Sequence, residues 1–314
     1  MFNPISIPHF STAVQIGFFL LYFLMIVANA SINFLLVDKI TPELKKELNN
    51  RVKTWFFIVT GLFILLIGEK ITTTIGFLLI SLFAFYEYIK AIQIRPEDRK
   101  VVIYMFLMIP IQYFWIYVEW YNMAMMFIPV YVFLSIPLFL ILAKETTGFL
   151  RSVAVIYWGM IATVFCISHV PMLYTLSDNS TQIISFIFFL LLLTEINDIL
   201  QYIWGKTLGY KKITPISPNK TQAGLIGGVL STILLSFLLA PLFTPLNYYE
   251  AIGVGLIIGF GGFIGDVCMS AIKRDLGVKD YSTFLPGHGG ILDRLDSLIY
   301  TAPLFFHFIH YFYY

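Results

Sequence analysis

The sequence predicts an all-α, polytopic integral membrane protein with about ten transmembrane helices, and three observations carry that prediction. Of 314 residues, 59% are hydrophobic and 12% are charged, with a mean hydropathy of +0.83, which is more apolar surface than one water-solvated core can hide. Apolar stretches recur from end to end, many approaching the roughly 20 residues of helix that cross a hydrocarbon core. They are continuous rather than alternating, which favours helices over the strands of a membrane barrel.

Along the chain, the helical spans read as roughly 12–36, 54–68, 71–90, 101–118, 122–143, 152–174, 182–204, 222–243, 250–272 and 292–312. The first run is too long for a removable signal peptide and lacks its basic start and small-residue exit, so it is expected to stay. The segment DKITPELKKELNNRVK at 38–53 reads as a short amphipathic cytosolic helix with a solvated or membrane-surface face. Glu87 and Glu119 lie in or near spans without a cluster around them, which suits a structural or interfacial role, and His169, near Pro171, reads as a helix-end polar residue. Cys166 and Cys268 fall inside apolar spans, which suits packing rather than a disulfide or a metal site.

Orientation follows from the basic residues, because Lys and Arg in short loops stay on the cytoplasmic side. Loops after odd-numbered spans hold Lys39, Lys45, Lys46, Arg51 and Lys53; Lys90, Arg95, Arg99 and Lys100; Lys144 and Arg151; Lys206, Lys211, Lys212 and Lys220; and Lys273, Arg274, Lys279 and Arg294. Of the 20 basic residues only Lys70 falls opposite. Both termini are therefore expected outside, with the polar loops in the cytosol. The net charge of +2 gives no reason to expect a nucleic-acid partner.

Polarity concentrates after residue 195, which divides the chain into N-terminal membrane helices at 1–180, a scaffold for oligomer or lipid contacts, and a C-terminal catalytic region at 181–314. Glu195, Asp198 and Tyr202 fall at i, i+3 and i+7, one helical stripe that is costly in lipid and suggests a wet cavity. Lys206, Lys211, Lys212 and Lys220 then sit beside Ser217 and Pro218, with Asn219 or Thr221 placed to cap the next helix, a combination that suits a phosphate as well as an ordinary capped loop. The glycines of AIGVGLIIGFGGFIGD at 251–266 lie inside an apolar span, where close helix packing is the better reading than a nucleotide loop. Asp266, Ser270 and Lys273 or Arg274 follow one helix face, a glycine-rich loop carries Lys279, Asp280, Pro286 and His288, and Asp293 and Asp296 lie one turn apart. Carboxylates that suit Mg²⁺, interleaved with cations that neutralise phosphate, point to a metal-dependent nucleotide site.

The order S-x-x-K-R-x-x-x-x-K-D from Ser270, followed by P-G-H-G-G-x-x-D-R-x-D from Pro286, resembles the signature of the phosphatidate cytidylyltransferase (CDP-diacylglycerol synthase) family. Ser217, Pro218, Lys220, Thr221 and Gly224 resemble its S-P-x-K-T-x-x-G element, and Asp198, Tyr202 and Gly205 its D-x-x-x-Y-x-x-G element. The resemblance covers about the C-terminal 120 residues; Gln222, Ala223, Glu195 and Asn197 depart from the usual pattern. It implies attack by the phosphate of phosphatidic acid on the α-phosphorus of CTP, with Mg²⁺ as cofactor and room for a second ion. Carried over, Asp266 and Asp293 are the metal ligands and Asp280 and Asp296 supporting carboxylates. Lys220, Lys273, Arg274 and Lys279 would hold phosphates, with Arg294 beside them at the nucleotide. Ser217 and Ser270 would donate hydrogen bonds, and His288 would shape the loop or touch phosphate rather than act as a base. CTP, phosphatidic acid and membrane lipids are the expected partners, and a homodimer is compatible with the scaffold. Transfer to another lipid phosphate or lipid alcohol is the alternative; a transporter fits less well, because the charges sit at helix ends rather than at the bilayer midplane.

Overall fold

The computed structural model of the protein describes residues 10–35, 40–142, 147–287 and 289–314. Lys39, Lys144 and His288, each invoked above, lie outside them. Among the described residues nine helices are long and apolar enough to cross a membrane: α1 (Thr12–Phe34), α2 (Pro42–Ile67), α3 (Glu69–Ile92), α4 (Pro96–Tyr117), α5 (Tyr121–Leu142), α6 (Phe149–Thr175), α7 (Ser180–Leu208), α8 (Gln222–Phe243) and α9 (Tyr248–Asp275). A tenth, α10 (Leu298–Tyr313), has 16 residues, a rise of about 24 Å. It starts at 298 rather than 292 because Leu292–Arg294 forms a separate 3₁₀ turn. The expected all-α, polytopic membrane architecture is the one observed.

One expected element is different. The segment at 38–53 is not a short separate helix; from Pro42 onward it is the first part of α2 itself. Thr41 accepts the Leu44 N–H at 3.3 Å, Pro42 occupies the first turn and Glu43 lies beside it, a complete helix start. No proline follows until Pro96, so nothing stops the helix before it enters the apolar run.

The arrangement of burial follows the lipid. Every residue from Ile183 to Leu190 of α7 is buried, so α7 is the axis of the C-terminal bundle. By contrast α1 presents Phe19 and Leu24, 69% and 60% exposed, a surface that hydrocarbon tolerates and water does not. Around α7, the α9 glycines act as the sequence suggests. Helix α9 is unbroken and starts with an Asn247–Glu250 capping box. A Cβ at Gly255 would lie 2.6 Å from the Ile233 Cα of α8, and one at Gly262 2.6 Å from the Asn197 Nδ2 of α7. Glycine is therefore what lets the α9 backbone close on α8 and leaves room for the Asn197 side chain of α7, bringing the polar helix ends together.

At the other end of the bundle, Lys70 pairs with Glu119 and lies 5.1 Å from the centroid of the Tyr117 ring. The one basic residue expected on the opposite face is thus paired with Glu119, for which the sequence suggested a structural or interfacial role.

Candidate active site

The helix ends drawn together by this packing enclose a cavity of about 300 Å³. Asp198, Gln201 and Tyr202 of α7 form one wall, and Ser217 and Lys220 of the turn before α8 a second. Asp266, Ser270, Lys273 and Arg274 of α9 form a third, closed by Lys279 and Asp280 of the following loop. Residues separated by more than 80 positions in sequence thus share one mixed-charge pocket.

The turn before α8 is built by main-chain bonds. Ile213 N–H donates to Lys220 O at 3.0 Å and Gln222 N–H to Lys211 O at 2.9 Å. Of the two candidate caps it is Thr221 that serves, accepting the Gly224 N–H at 3.1 Å. Lys220 is thereby aimed into the pocket, where its Nζ pairs with Asp266 and donates to Gln201 Oε1 at 3.3 Å. Asp266 Oδ1 also accepts from Ser270 Oγ at 3.4 Å, as the i, i+4 spacing predicts.

The carboxylates divide into two kinds. Asp293 is 3% exposed and heavily committed: Oδ1 accepts from Lys273 Nζ at 2.9 Å, and Oδ2 from the N–H groups of Tyr281 and Gly290, each at 2.9 Å. Among the described residues its link to the pocket is Lys273. Asp266, 25% exposed, faces the pocket directly. Asp198 Oδ2 accepts from Ser297 Oγ at 2.8 Å, while its buried Oδ1 has no hydrogen-bond partner among the described residues. In the turn ahead of α10, burial of the Asp296 carboxyl raises its pKa above the usual carboxylate range. The negative charges of Asp266 and Asp198 push the same way, and Lys273 and Arg294 oppose them. Asp198, Asp266 and Asp296 therefore share one field. Exposed Arg294 lies at its edge, close enough for its charge to act on Glu195 as well.

The loop after α9 is held from outside the C-terminal bundle. Its tip closes with Leu285 N–H donating to Gly289 O at 2.8 Å, and Gly289 has φ +80°, a region glycine enters without a Cβ clash. Thr54 of α2 donates to Pro286 O at 2.9 Å. Glu87 of α3 accepts from Ser282 Oγ at 2.6 Å and Ile291 N–H at 3.1 Å through Oε1, and from Leu292 N–H at 2.8 Å through Oε2.

A family model described as the cytidylyltransferase family matches residues 49–312. The chain belongs to the cytidylyltransferase family. It is a CTP-dependent nucleotidyltransferase and an integral membrane protein. It is 42% identical over 291 residues to the uncharacterized protein YnbB of Escherichia coli strain K12, a match spanning 92% of this chain and 96% of that one. It is 45% identical over 114 residues to a phosphatidate cytidylyltransferase of Synechocystis, covering 36% of this chain and 39% of the relative. With a phosphatidate cytidylyltransferase of Staphylococcus aureus strain COL it shares 39% identity over 131 residues, 40% of this chain and 50% of that one. The likeness thus spans half or less of those two relatives.

In this cytidylyltransferase the acidic groups can be tested against a metal ion. Among the described residues no three His, Cys, Asp or Glu side chains converge closely enough to hold one unaided. Mg²⁺, however, is usually held by one or two carboxylates together with water and substrate phosphate. The pocket-facing Asp266, with Asp198 lining the same cavity, fits an ion that arrives with a nucleotide. The sequence-based pair Asp266 and Asp293 is unequal in this respect, since three donors already occupy Asp293.

Reading the cytidylyltransferase sequence alone missed three contributors. Gln201 joins Lys220 to α9, its Nε2 donating to Gly259 O at 3.3 Å, and Ser297 supports Asp198. Glu87 is the third. Its signal was a carboxylate in the apolar run of α3, which has to be paired in lipid, but its partners lie about 200 positions away and no local pattern announces them.

Proposed function

We propose that this cytidylyltransferase converts CTP and phosphatidic acid to CDP-diacylglycerol and pyrophosphate, with Mg²⁺ as cofactor, at the cytosolic membrane face. The observation that carries the reading is the pocket in which Lys220, Lys273, Arg274 and Lys279 stand around Asp198 and Asp266 at the ends of membrane helices. An anion sink would not need the carboxylates, and a cation site would not need the lysines. A metal–triphosphate needs both, and a position at the bilayer edge lets a lipid headgroup enter while its acyl chains stay in hydrocarbon.

In the reaction a phosphate oxygen of the lipid forms a bond to the α-phosphorus of CTP, and the bond to the bridging oxygen breaks, releasing pyrophosphate. The acceptor phosphate is already ionised near neutral pH, so positioning and charge neutralisation are the work left to the protein. Lys273, fixed by Asp293, and Lys220, fixed by Gln201 and Asp266, hold phosphate oxygens at two walls of the pocket. Arg274 and Lys279 meet the remaining charge, and Ser217 and Ser270 donate hydrogen bonds. Asp266 and Asp198 would hold the ion, with Asp296 and Asp280 as supporting charge. When bound, Mg²⁺ would neutralise nucleotide oxygens and stabilise the leaving pyrophosphate.

The test is pyrophosphate release by purified protein in mixed micelles with CTP and Mg²⁺. Release that requires phosphatidic acid supports the reading, and release without lipid rejects it. A panel of other lipid phosphates and lipid alcohols decides the acceptor: faster turnover with one of them would reassign the substrate while leaving the nucleotide chemistry in place.

A further inference from the structure

We infer that Glu87, on a scaffold helix far from the signature in sequence, is a positioning residue for nucleotidyl transfer, acting through the loop at 281–293 upon Lys273. The inference rests on the pocket being the reacting centre.

A carboxylate in a membrane helix is costly and persists where it is paired or used. Glu87 is 5% exposed, and the three donors it receives among the described residues all come from the one loop. Two of them, the N–H groups of Ile291 and Leu292, open the 3₁₀ turn Leu292–Arg294, where helical N–H groups lack acceptors within the turn. Glu87 therefore caps that turn from a different helix. The third, Ser282, belongs to the other arm of the loop.

Asp293 repeats the pattern one residue along on each arm, taking the N–H groups of Tyr281 and Gly290. Two carboxylates, one from the scaffold and one from the signature, tie the neck of the loop together at adjacent residues. The fit is close, because a Cβ on Gly290 would stand 2.5 Å from Glu87 Oε2. The oxygen of Asp293 left over from this clasp is the one that holds Lys273 Nζ at 2.9 Å, and Lys273 lines the pocket. Loosening Glu87 frees the arms, shifts Asp293, and moves the ammonium group away from the phosphates it faces.

The test is Glu87→Gln, which keeps the shape but replaces one acceptor with an NH₂ facing loop donors, in the full-length protein. Outer partners that hold a metal ligand in place change activity by about 10–100-fold, and the clasp holds Lys273 in the same indirect way. We expect kcat to fall within that range, KM for CTP and lipid to stay within about threefold, and amide exchange to accelerate at 281–292 while the spans keep wild-type protection. Glu87→Asp, which restores the charge on a shorter arm, should exceed Glu87→Gln in kcat, and Ser282→Ala should show a smaller loss of the same kind. Wild-type kcat in Glu87→Gln would overturn the inference. So would unchanged exchange at 281–292, or a loss explained wholly by a smaller folded fraction. The wild-type arm keeps the two claims apart: a wild-type protein that turns over no CTP with any lipid phosphate defeats the reading of the pocket, whereas the exchange comparison still judges the clasp.

Discussion

Replacing Asp293 by Asn and Asp266 by Asn separates two roles that look alike in sequence. Asp293 and its partner Lys273 are 3% and 12% exposed. An Asn at 293 leaves that ammonium without its counter-charge, and its NH₂ must face either Lys273 or the N–H groups of Tyr281 and Gly290. Removing one partner of a buried pair costs roughly 3–5 kcal/mol, on the order of 5–10 °C in melting temperature for a chain of this size. Asp266 is 25% exposed and its partner Lys220 17%, and Lys220 keeps Gln201 as a second acceptor. Opening that pair in a solvent-facing pocket costs about 1 kcal/mol. Thermal unfolding in detergent should therefore show a large loss for Asp293→Asn and a small one for Asp266→Asn, while pyrophosphate release is abolished in Asp266→Asn. Equal stability in the two variants would refute the assignment of Asp293 to the loop and return it to the metal.

Further outcomes follow from the same geometry. Lys220→Ala should raise KM for CTP about tenfold or more with little change in melting temperature, which steady-state kinetics at varied CTP would measure. Gly255→Ala places a Cβ against the Ile233 backbone and should destabilise by about 1–3 kcal/mol, whereas Gly61→Ala, with nothing within 4 Å, should be nearly neutral; thermal melts of the two variants make the comparison. Chelation should abolish turnover and Mg²⁺ should restore it, and activity that survives chelator would remove the ion from the proposal. In intact cells a membrane-impermeant thiol reagent should label Tyr314→Cys but not Lys211→Cys, and the reverse pattern would invert the orientation.

The fold was legible because the lipid imposes a simple rule: a helix crossing hydrocarbon must be long and apolar, and each such stretch is written locally. The α9 glycines were legible for the same reason, since small residues in an apolar span have few uses other than close approach. The start of α2 was misread because the charges of residues 43–53 suggested a separate surface element, although charge does not end a helix and no proline intervenes. At the site, the spacing of Asp266, Ser270 and Lys273 gave a shared face correctly. Spacing did not reveal that Asp293 is occupied by amides, because those come from Tyr281 and Gly290 in a loop whose path depends on Glu87 and Thr54. Contacts between elements distant in the chain leave no periodic trace.

The attachment of Pro286 to Thr54 and of the 282–292 arms to Glu87 bears on how the protein can be divided. A cut near residue 180, or a graft of another family member's C-terminal half onto the six helices α1 to α6, would transplant every letter of the signature. It would also strip away the seat on which the signature rests. Chimeras should work only when positions 54 and 87 travel with the loop they fit, so the unit that exchanges between relatives is a noncontiguous one.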